Sequence, residues 1–76
     1  MSGEAATGAE ARLMVNGKPR ALGAVATLGD LLADLDIRPQ RVVVELNGNI
    51  YRRGEGLDQP VRAGDVIEIV HFVGGG

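Results

Sequence analysis

The fold is decided by the segment TLGDLLADL, residues 27–35, because it is the one stretch of the chain with a clear helical repeat. Its leucines recur at i, i+3, i+4 and i+7, a spacing that places all of them on one face of a helix. Thr27 suits an N-cap, and Asp30, three positions later, resembles the acidic partner of a capping box. A helix of about ten residues that must end before Pro39 is marginal alone in water. The leucines therefore predict a sheet for the helix to pack against.

A β-hairpin is predicted before the helix. Residues 11–16 predict a strand with Leu13 and Val15 on one face and Arg12 and Met14 on the other. The dipeptide Asn16-Gly17 tolerates positive φ and is a strong hairpin signal. A second strand at residues 18–24 should return antiparallel to the first. Its Pro19 lacks an amide hydrogen, which predicts an unpaired strand end or a sheet edge.

Two main strands are predicted after the helix, at residues 42–46 and 66–72, with a short one at 50–52. Between them, residues 53–63 form an irregular connection anchored by Leu57 and Val61. Successive side chains of a strand point to opposite faces. The face toward the helix should carry Val42, Val44, Leu46, Ile67 and Ile69. The opposite face should carry Val43, Glu45, Glu68, Val70 and Phe72.

This order of elements predicts an α+β domain in which one main helix packs across a mixed sheet of four to five strands. A hairpin, a helix and a strand that returns next to the first strand satisfy the right-handed crossover rule. The arrangement is the β-grasp, or ubiquitin-like, fold; a small open barrel is the less favoured alternative. The domain should span residues 11–73, between a disordered tail at residues 1–10 and a flexible glycine tail at residues 74–76.

Composition excludes several functions. The chain has 76 residues, no Cys, one His, two aromatic residues and a net charge of -2. So short a chain leaves little room for a deep active site, and these residues favour neither a metal site nor a nucleic-acid surface. No apolar run reaches the length of a membrane span, and no secretion signal opens the chain. The expected protein is soluble and cytoplasmic, with no membrane partner.

The tail Gly74-Gly75-Gly76, which follows Val73, cannot pack or catalyse because it has no side chains. Extended, residues 73–76 reach roughly 13 Å and fit a narrow slot. The Gly76 carboxylate is then the reactive group. A frayed terminus or an expression scar is the alternative explanation.

Three other features each have two explanations. His71 could act as a general base, but a lone His is more often a surface or packing residue. Arg52-Arg53 could bind a phosphate or an acidic partner, or simply belong to a solvated loop. The apolar residues Val43, Val70 and Phe72 on the face away from the helix could form a partner-docking site, or could be scattered exposed residues.

From Leu13 to Gly76 the chain resembles the ubiquitin-like sulfur carriers, and most closely the ThiS family of thiamine biosynthesis. The matching pieces are Asn16-Gly17, Thr27-Leu28-Gly29-Asp30-Leu31-Leu32, Val44-Glu45-Leu46-Asn47-Gly48, Arg52-Arg53, Gly64-Asp65 and Ile69-Val70-His71-Phe72-Val73-Gly74-Gly75-Gly76. One departure is Arg52, where the family often has a proline.

The resemblance implies a carrier that is not itself an enzyme and binds no cofactor. In that family a ThiF-like adenylating enzyme uses ATP to activate the terminal carboxylate, here that of Gly76, as an acyl-adenylate. Sulfur from a cysteine-derived persulfide on another protein then produces a thiocarboxylate. A ThiG-like thiazole synthase takes the sulfur.

Three alternatives to the thiamine carrier stay open at the level of the sequence. The small subunit of molybdopterin synthase shares the fold, the tail and the thiocarboxylate. A ubiquitin-like modifier would be joined through Gly76 to lysines of target proteins. A β-grasp interaction module would have an inert tail.

Overall fold

In the computed structural model, which describes residues 11–72, the leucine helix packs across one face of a five-stranded sheet. The elements in chain order are β1 (Arg12–Val15), β2 (Lys18–Ala21), α1 (Leu28–Asp34), a 3₁₀ turn (Pro39–Arg41), β3 (Val42–Leu46), β4 (Asn49–Arg52) and β5 (Val66–His71). The predictions for the tails at residues 1–10 and 73–76 lie outside the described residues. The α+β architecture with one helix on a mixed sheet is confirmed.

The core lies between the sheet and α1. Its buried residues are those predicted from the two periodicities, together with Leu13 from β1 and Val61 from the loop before β5: Leu13, Leu28, Leu31, Leu32, Val42, Val44, Leu46, Val61, Ile67 and Ile69. Leu35 and Leu57 are half-buried against this cluster. The helical and strand periodicities thus point their apolar sides at each other, as the pattern requires.

The order of the strands is β2-β1-β5-β3-β4, which corrects one expectation. The strand that follows the helix, β3, does not lie next to β1; the last strand, β5, occupies that position and runs parallel to β1. On its other side β5 pairs antiparallel with β3 from Ile67 to His71. Strand β5 is therefore the central strand of the sheet, with hydrogen-bonded neighbours on both sides. The edge position of β2 suits Pro19, as predicted.

The helix is shorter than expected, seven residues, because a Schellman motif ends it. The N–H of Ile37 donates to the carbonyl of Leu32 at 2.8 Å, and the N–H of Asp36 to that of Ala33 at 3.0 Å. Asp36 takes the left-handed conformation, with φ of 60°, that glycine usually supplies. Strand β2 also ends earlier than predicted, because Gly23 has φ of 57° and turns the chain.

The start of α1 is held by its own cap and by the connection that follows β4. The Asp30 amide donates to the Thr27 hydroxyl at 3.1 Å, and the Asp30 carboxylate accepts from the Thr27 amide, so the predicted capping box is present. The amides of Leu28 and Gly29 donate to carbonyls of the connection at 3.0 and 2.9 Å. All of the first-turn donors that an isolated helix leaves unpaired are therefore satisfied.

Removing the cap hydroxyl should destabilise the fold. We expect Thr27→Ala to lower the free energy of unfolding by about 0.5–2 kcal/mol, because it takes the acceptor from the Asp30 amide. Urea denaturation measures the change. Thr27→Ser keeps the hydroxyl and serves as the control. A Thr27→Ala variant as stable as Thr27→Ser would show that the loop carbonyls alone hold the helix start.

Candidate functional site

The sheet face that α1 leaves uncovered carries four of the five predicted docking residues side by side. In the register of β3 against β5, Val43 pairs with Val70 and Glu45 pairs with Glu68. All four point away from the core, since Val43 is half-buried and the other three are exposed. The alternation read from the sequence therefore places them correctly. Their role in docking stays a prediction.

Exposed apolar area is concentrated on this same face. Among residues 11–72 the large hydrophobic side chains that are exposed are Ile50 at 56%, Val66 at 47%, Val70 at 62% and Phe72 at 41%. Ile50 lies opposite Glu45 across β3 and β4, and Val66 lies two residues before Glu68 in β5. We call Val43, Glu45, Ile50, Val66, Glu68 and Val70 the open face. Clustering of this kind is typical of an interaction surface.

Ile50 and Val66 were missed as site residues, although the sequence held the signal for Val66. Val66, Glu68 and Val70 follow one another at intervals of two residues in the final strand, so their side chains point to the same face. Ile50 could be placed only once the register of β4 was known, because its strand is too short for its alternation to be read.

Phe72 lies at the root of the tail, one residue beyond the end of β5, rather than inside the strand as predicted. Its amide still donates to the carbonyl of Arg41 at 3.0 Å, so the chain stays attached to the sheet there. The Arg53 guanidinium carbon lies 4.6 Å from the centroid of the Phe72 ring. Such a cation–π contact contributes about 0.5–1 kcal/mol at an exposed site.

This contact gives Arg53 a role that the sequence did not suggest. Arg53 has φ of 46°, and its amide donates to the carbonyl of Val42 at 3.1 Å. That backbone bend turns the end of β4 toward the tail root. Both arginines are exposed, and the backbone amide of Arg52 donates to the Glu55 carboxylate at 3.3 Å. The two arginines therefore have different surroundings, and their binding of a phosphate or an acidic partner stays a prediction.

The proposal of His71 as a general base gains no support. The side chain is exposed, and within residues 11–72 no hydrogen bond joins it to a carboxylate or a hydroxyl. A general base needs such an orienting partner beside a reacting group. The described part of the chain also has no group of three or more His, Cys, Asp or Glu residues that could hold a metal ion. None of its helices is long and apolar enough to cross a membrane.

Two asparagine side chains hold β5, the strand that leads to the tail. The Asn16 amide group is bidentate on Ile69, accepting from its N–H at 2.7 Å and donating to its carbonyl at 3.3 Å. Asn47 accepts from the Val66 N–H at 2.8 Å. Both asparagines begin Asn-Gly turns, with φ of 52° and 51°. Each hairpin turn therefore extends the pairing of β5 beyond the neighbouring strand.

The described residues define a ubiquitin-like β-grasp protein. The last strand lies at the centre of a mixed sheet, and one capped helix packs across the sheet. The open face includes residues of the strand that leads to the tail. The model of the ThiS family matches residues 13–76. The chain belongs to the ThiS family.

Individual relatives agree with this assignment. The chain is 37% identical over 62 residues to the sulfur carrier protein ThiS of Thermus thermophilus, covering 82% of this chain and 95% of that protein. It is 35% identical to the crystal structure of the thiamine biosynthesis protein ThiS of Geobacter metallireducens, with a TM-score of 0.69, covering 86% of this chain and 99% of that one. The expected sulfur-carrier family is thus confirmed, and the thiamine pathway is favoured over molybdopterin synthase.

A third relative is an enzyme. Over 65 residues, 86% of this chain, the sequence is 38% identical to a thiazole synthase of Magnetococcus marinus. The chain spans only 20% of the length of that protein. A segment similar to this chain therefore occurs within a much longer thiazole synthase.

The asparagine contacts to β5 can be tested one at a time. Asn16→Gly keeps the turn but removes both side-chain bonds to Ile69, so we expect a loss of about 1–3 kcal/mol in the free energy of unfolding. Hydrogen exchange should be faster at the Ile69 amide. Asn47→Gly is the reciprocal control and should affect the Val66 amide instead. Unchanged protection of Ile69 in Asn16→Gly would contradict the role given to Asn16.

Proposed function

We propose that this protein is the sulfur carrier of thiamine biosynthesis and that the Gly76 carboxylate is the group that receives the sulfur. The observation that carries the proposal is the match to the ThiS family over residues 13–76, which includes the glycine tail. On this proposal the chain is a protein co-substrate rather than an enzyme. Its place is the cytoplasm, where ATP is available.

The chemistry explains the need for an activating partner. A carboxylate is a poor acyl donor because resonance stabilises it. A ThiF-like enzyme joins the Gly76 carboxylate to AMP from ATP, which gives the carbonyl a good leaving group. The outer sulfur of a persulfide on another protein then displaces AMP and forms an acyl disulfide, and a thiol cleaves its S–S bond, becoming a disulfide itself and leaving a thiocarboxylate on Gly76. The chain itself binds no cofactor and supplies only the acyl group.

The glycines suit this handling. Gly74, Gly75 and Gly76 have no Cβ atoms, so they can enter a narrow channel that would exclude larger residues. The carried sulfur resides on the main-chain carbonyl, which agrees with a sequence that has no Cys. Neither point depends on how the tail is arranged in the free protein.

The open face supports the proposal that partner enzymes dock beside the tail. The open face includes residues of β5, so an enzyme that covers Val43 and Val70 would have Phe72, at the root of the tail, at the edge of the interface. Thiazole synthase is the partner best supported, because a segment similar to this chain lies within a thiazole synthase. Linking a carrier to its enzyme raises their effective concentration, which is useful when the two must meet.

Intact-mass spectrometry tests the carrier chemistry. After incubation with a ThiF-like adenylating enzyme, ATP and a sulfur source, we expect the protein to show the mass change of one oxygen replaced by sulfur. Deletion of Gly76 should abolish that change while leaving the fold intact. Covalent adducts with other proteins would instead indicate a modifier, and an unchanged mass would indicate an interaction module with an inert tail.

Charging the open face tests docking. We expect Val70→Glu to weaken binding to thiazole synthase at least about tenfold, a loss of about 1.4 kcal/mol, because it places a carboxylate in an apolar contact. Ala33→Glu, an exposed position on the outer side of α1, is the matched control. Isothermal titration calorimetry or surface plasmon resonance measures the affinity. Equal binding by Val70→Glu and the control would remove the open face from the interface.

A further inference from the structure

Building on the proposed function, we propose that Glu45 and Glu68 form a cation-recognition element that receives an arginine or lysine side chain of thiazole synthase. The two residues lie directly opposite each other on β3 and β5. Both are exposed on the open face. The partner surface that fits this arrangement is apolar with one cationic side chain at its centre.

The pairing of these two carboxylates is unfavourable in the free protein. Directly opposite residues of an antiparallel pair have Cβ atoms about 4.5–5.5 Å apart, and like charges at that separation destabilise a sheet. The register cannot slip to relieve the repulsion, because a shift by one residue would turn Val44 and Ile69 out of the core. The repulsion is therefore built into the fold.

No cation of the described chain neutralises the pair. Within residues 11–72 the ion pair that forms joins Arg20 to Asp34, on another part of the surface. The cross-strand neighbour of Glu45 on β4 is Ile50, which is apolar. Arg52 lies diagonally from Glu45, but among residues 11–72 no ion pair joins its guanidinium to that carboxylate.

The side chains around Glu45 and Glu68 are apolar, and they limit which partner surface can bury the two carboxylates. Val43 and Val70 lie on the tail side of the two carboxylates, Val66 on the other side of Glu68, and Ile50 beyond Glu45. A protein that buries these side chains must also remove water from the carboxylates. Burying charge without a partner is costly, whereas attraction to an opposite charge strengthens as water is excluded. An apolar surface with a central cation binds; an apolar surface without one is rejected.

Basic residues near the tail make the distribution of charge along the open face asymmetric. Arg52 pairs with Val43, one row closer to the tail than the carboxylates, and Arg41 lies beside Phe72. Along the open face the charge therefore changes from positive near the tail to negative in the middle. A partner turned end for end would keep its central cation on the carboxylates, but the part of its surface that suits the apolar end of the face would then lie against the arginines. The pattern thus fixes the orientation in which the tail is presented.

The test compares the double variant Glu45→Gln/Glu68→Gln with Asp58→Asn, which removes an exposed charge outside the open face. Binding to thiazole synthase is measured by calorimetry at several salt concentrations, and the melting temperature of each free protein is recorded. We expect the double variant to bind at least about tenfold more weakly, with a smaller salt dependence. We also expect the free variant to melt a few degrees higher, because the repulsion is gone. Asp58→Asn should change neither property.

Wild-type affinity in the double variant would overturn the inference. The proposed function would be unaffected, because the oxygen-to-sulfur change at Gly76 is measured separately with the adenylating enzyme. A double variant that binds weakly and also melts lower than the wild type would place the loss in the fold rather than in recognition, and would equally overturn it.

Discussion

The structure depends on the pairing of β5, the last strand of the chain, between β1 and β3. Without β5 the chain consists of two separate hairpins, β1–β2 and β3–β4, which share no hydrogen-bonded edge. A two-stranded hairpin is marginal alone in water, and so is a helix of seven residues. The side chains that β5 adds to the core, Ile67 and Ile69, are among its buried members. The sheet that the helix needs is therefore completed only when the C-terminal segment is in place.

This constraint also explains where the tail begins. A carrier must offer its terminal residues to other proteins without exposing its own core, so the anchor has to be stable close to the point where the tail leaves. Here the anchor is the central strand, paired on both sides and extended by the side chains of Asn16 and Asn47. At its end, the Phe72 amide is still bound to Arg41 and the ring lies beside the Arg53 guanidinium. The order of the strands is thus consistent with the function proposed for the tail.

Local patterns predicted much of this structure because they are set by neighbouring residues. The capping box at Thr27, the turn at Asn16-Gly17 and the alternation of β3 and β5 all follow from spacing along the chain. The neighbour of β1 could not be read in this way, since strand order depends on contacts between distant segments. The end of α1 at Asp34 was missed because the left-handed residue of the Schellman motif, Asp36, is an aspartate instead of a glycine. Arg53 was missed for a related reason: its position over Phe72 requires a positive φ in a residue that seldom adopts it.

The residues that violate local rules are informative about function. A sequence selected only for stability would place opposite charges, or two apolar residues, at a directly paired exposed position. The chain instead has Glu45 opposite Glu68, with apolar residues around them and arginines nearer the tail. Departures from local consistency of this kind are expected where a surface is shaped for a partner. The core side of the same two strands shows no such conflict, since Val42, Val44, Ile67 and Ile69 all fit their positions. On the proposed docking role, stability acts on one face of β3 and β5 and recognition on the other, and the two-residue period of the strands separates the two.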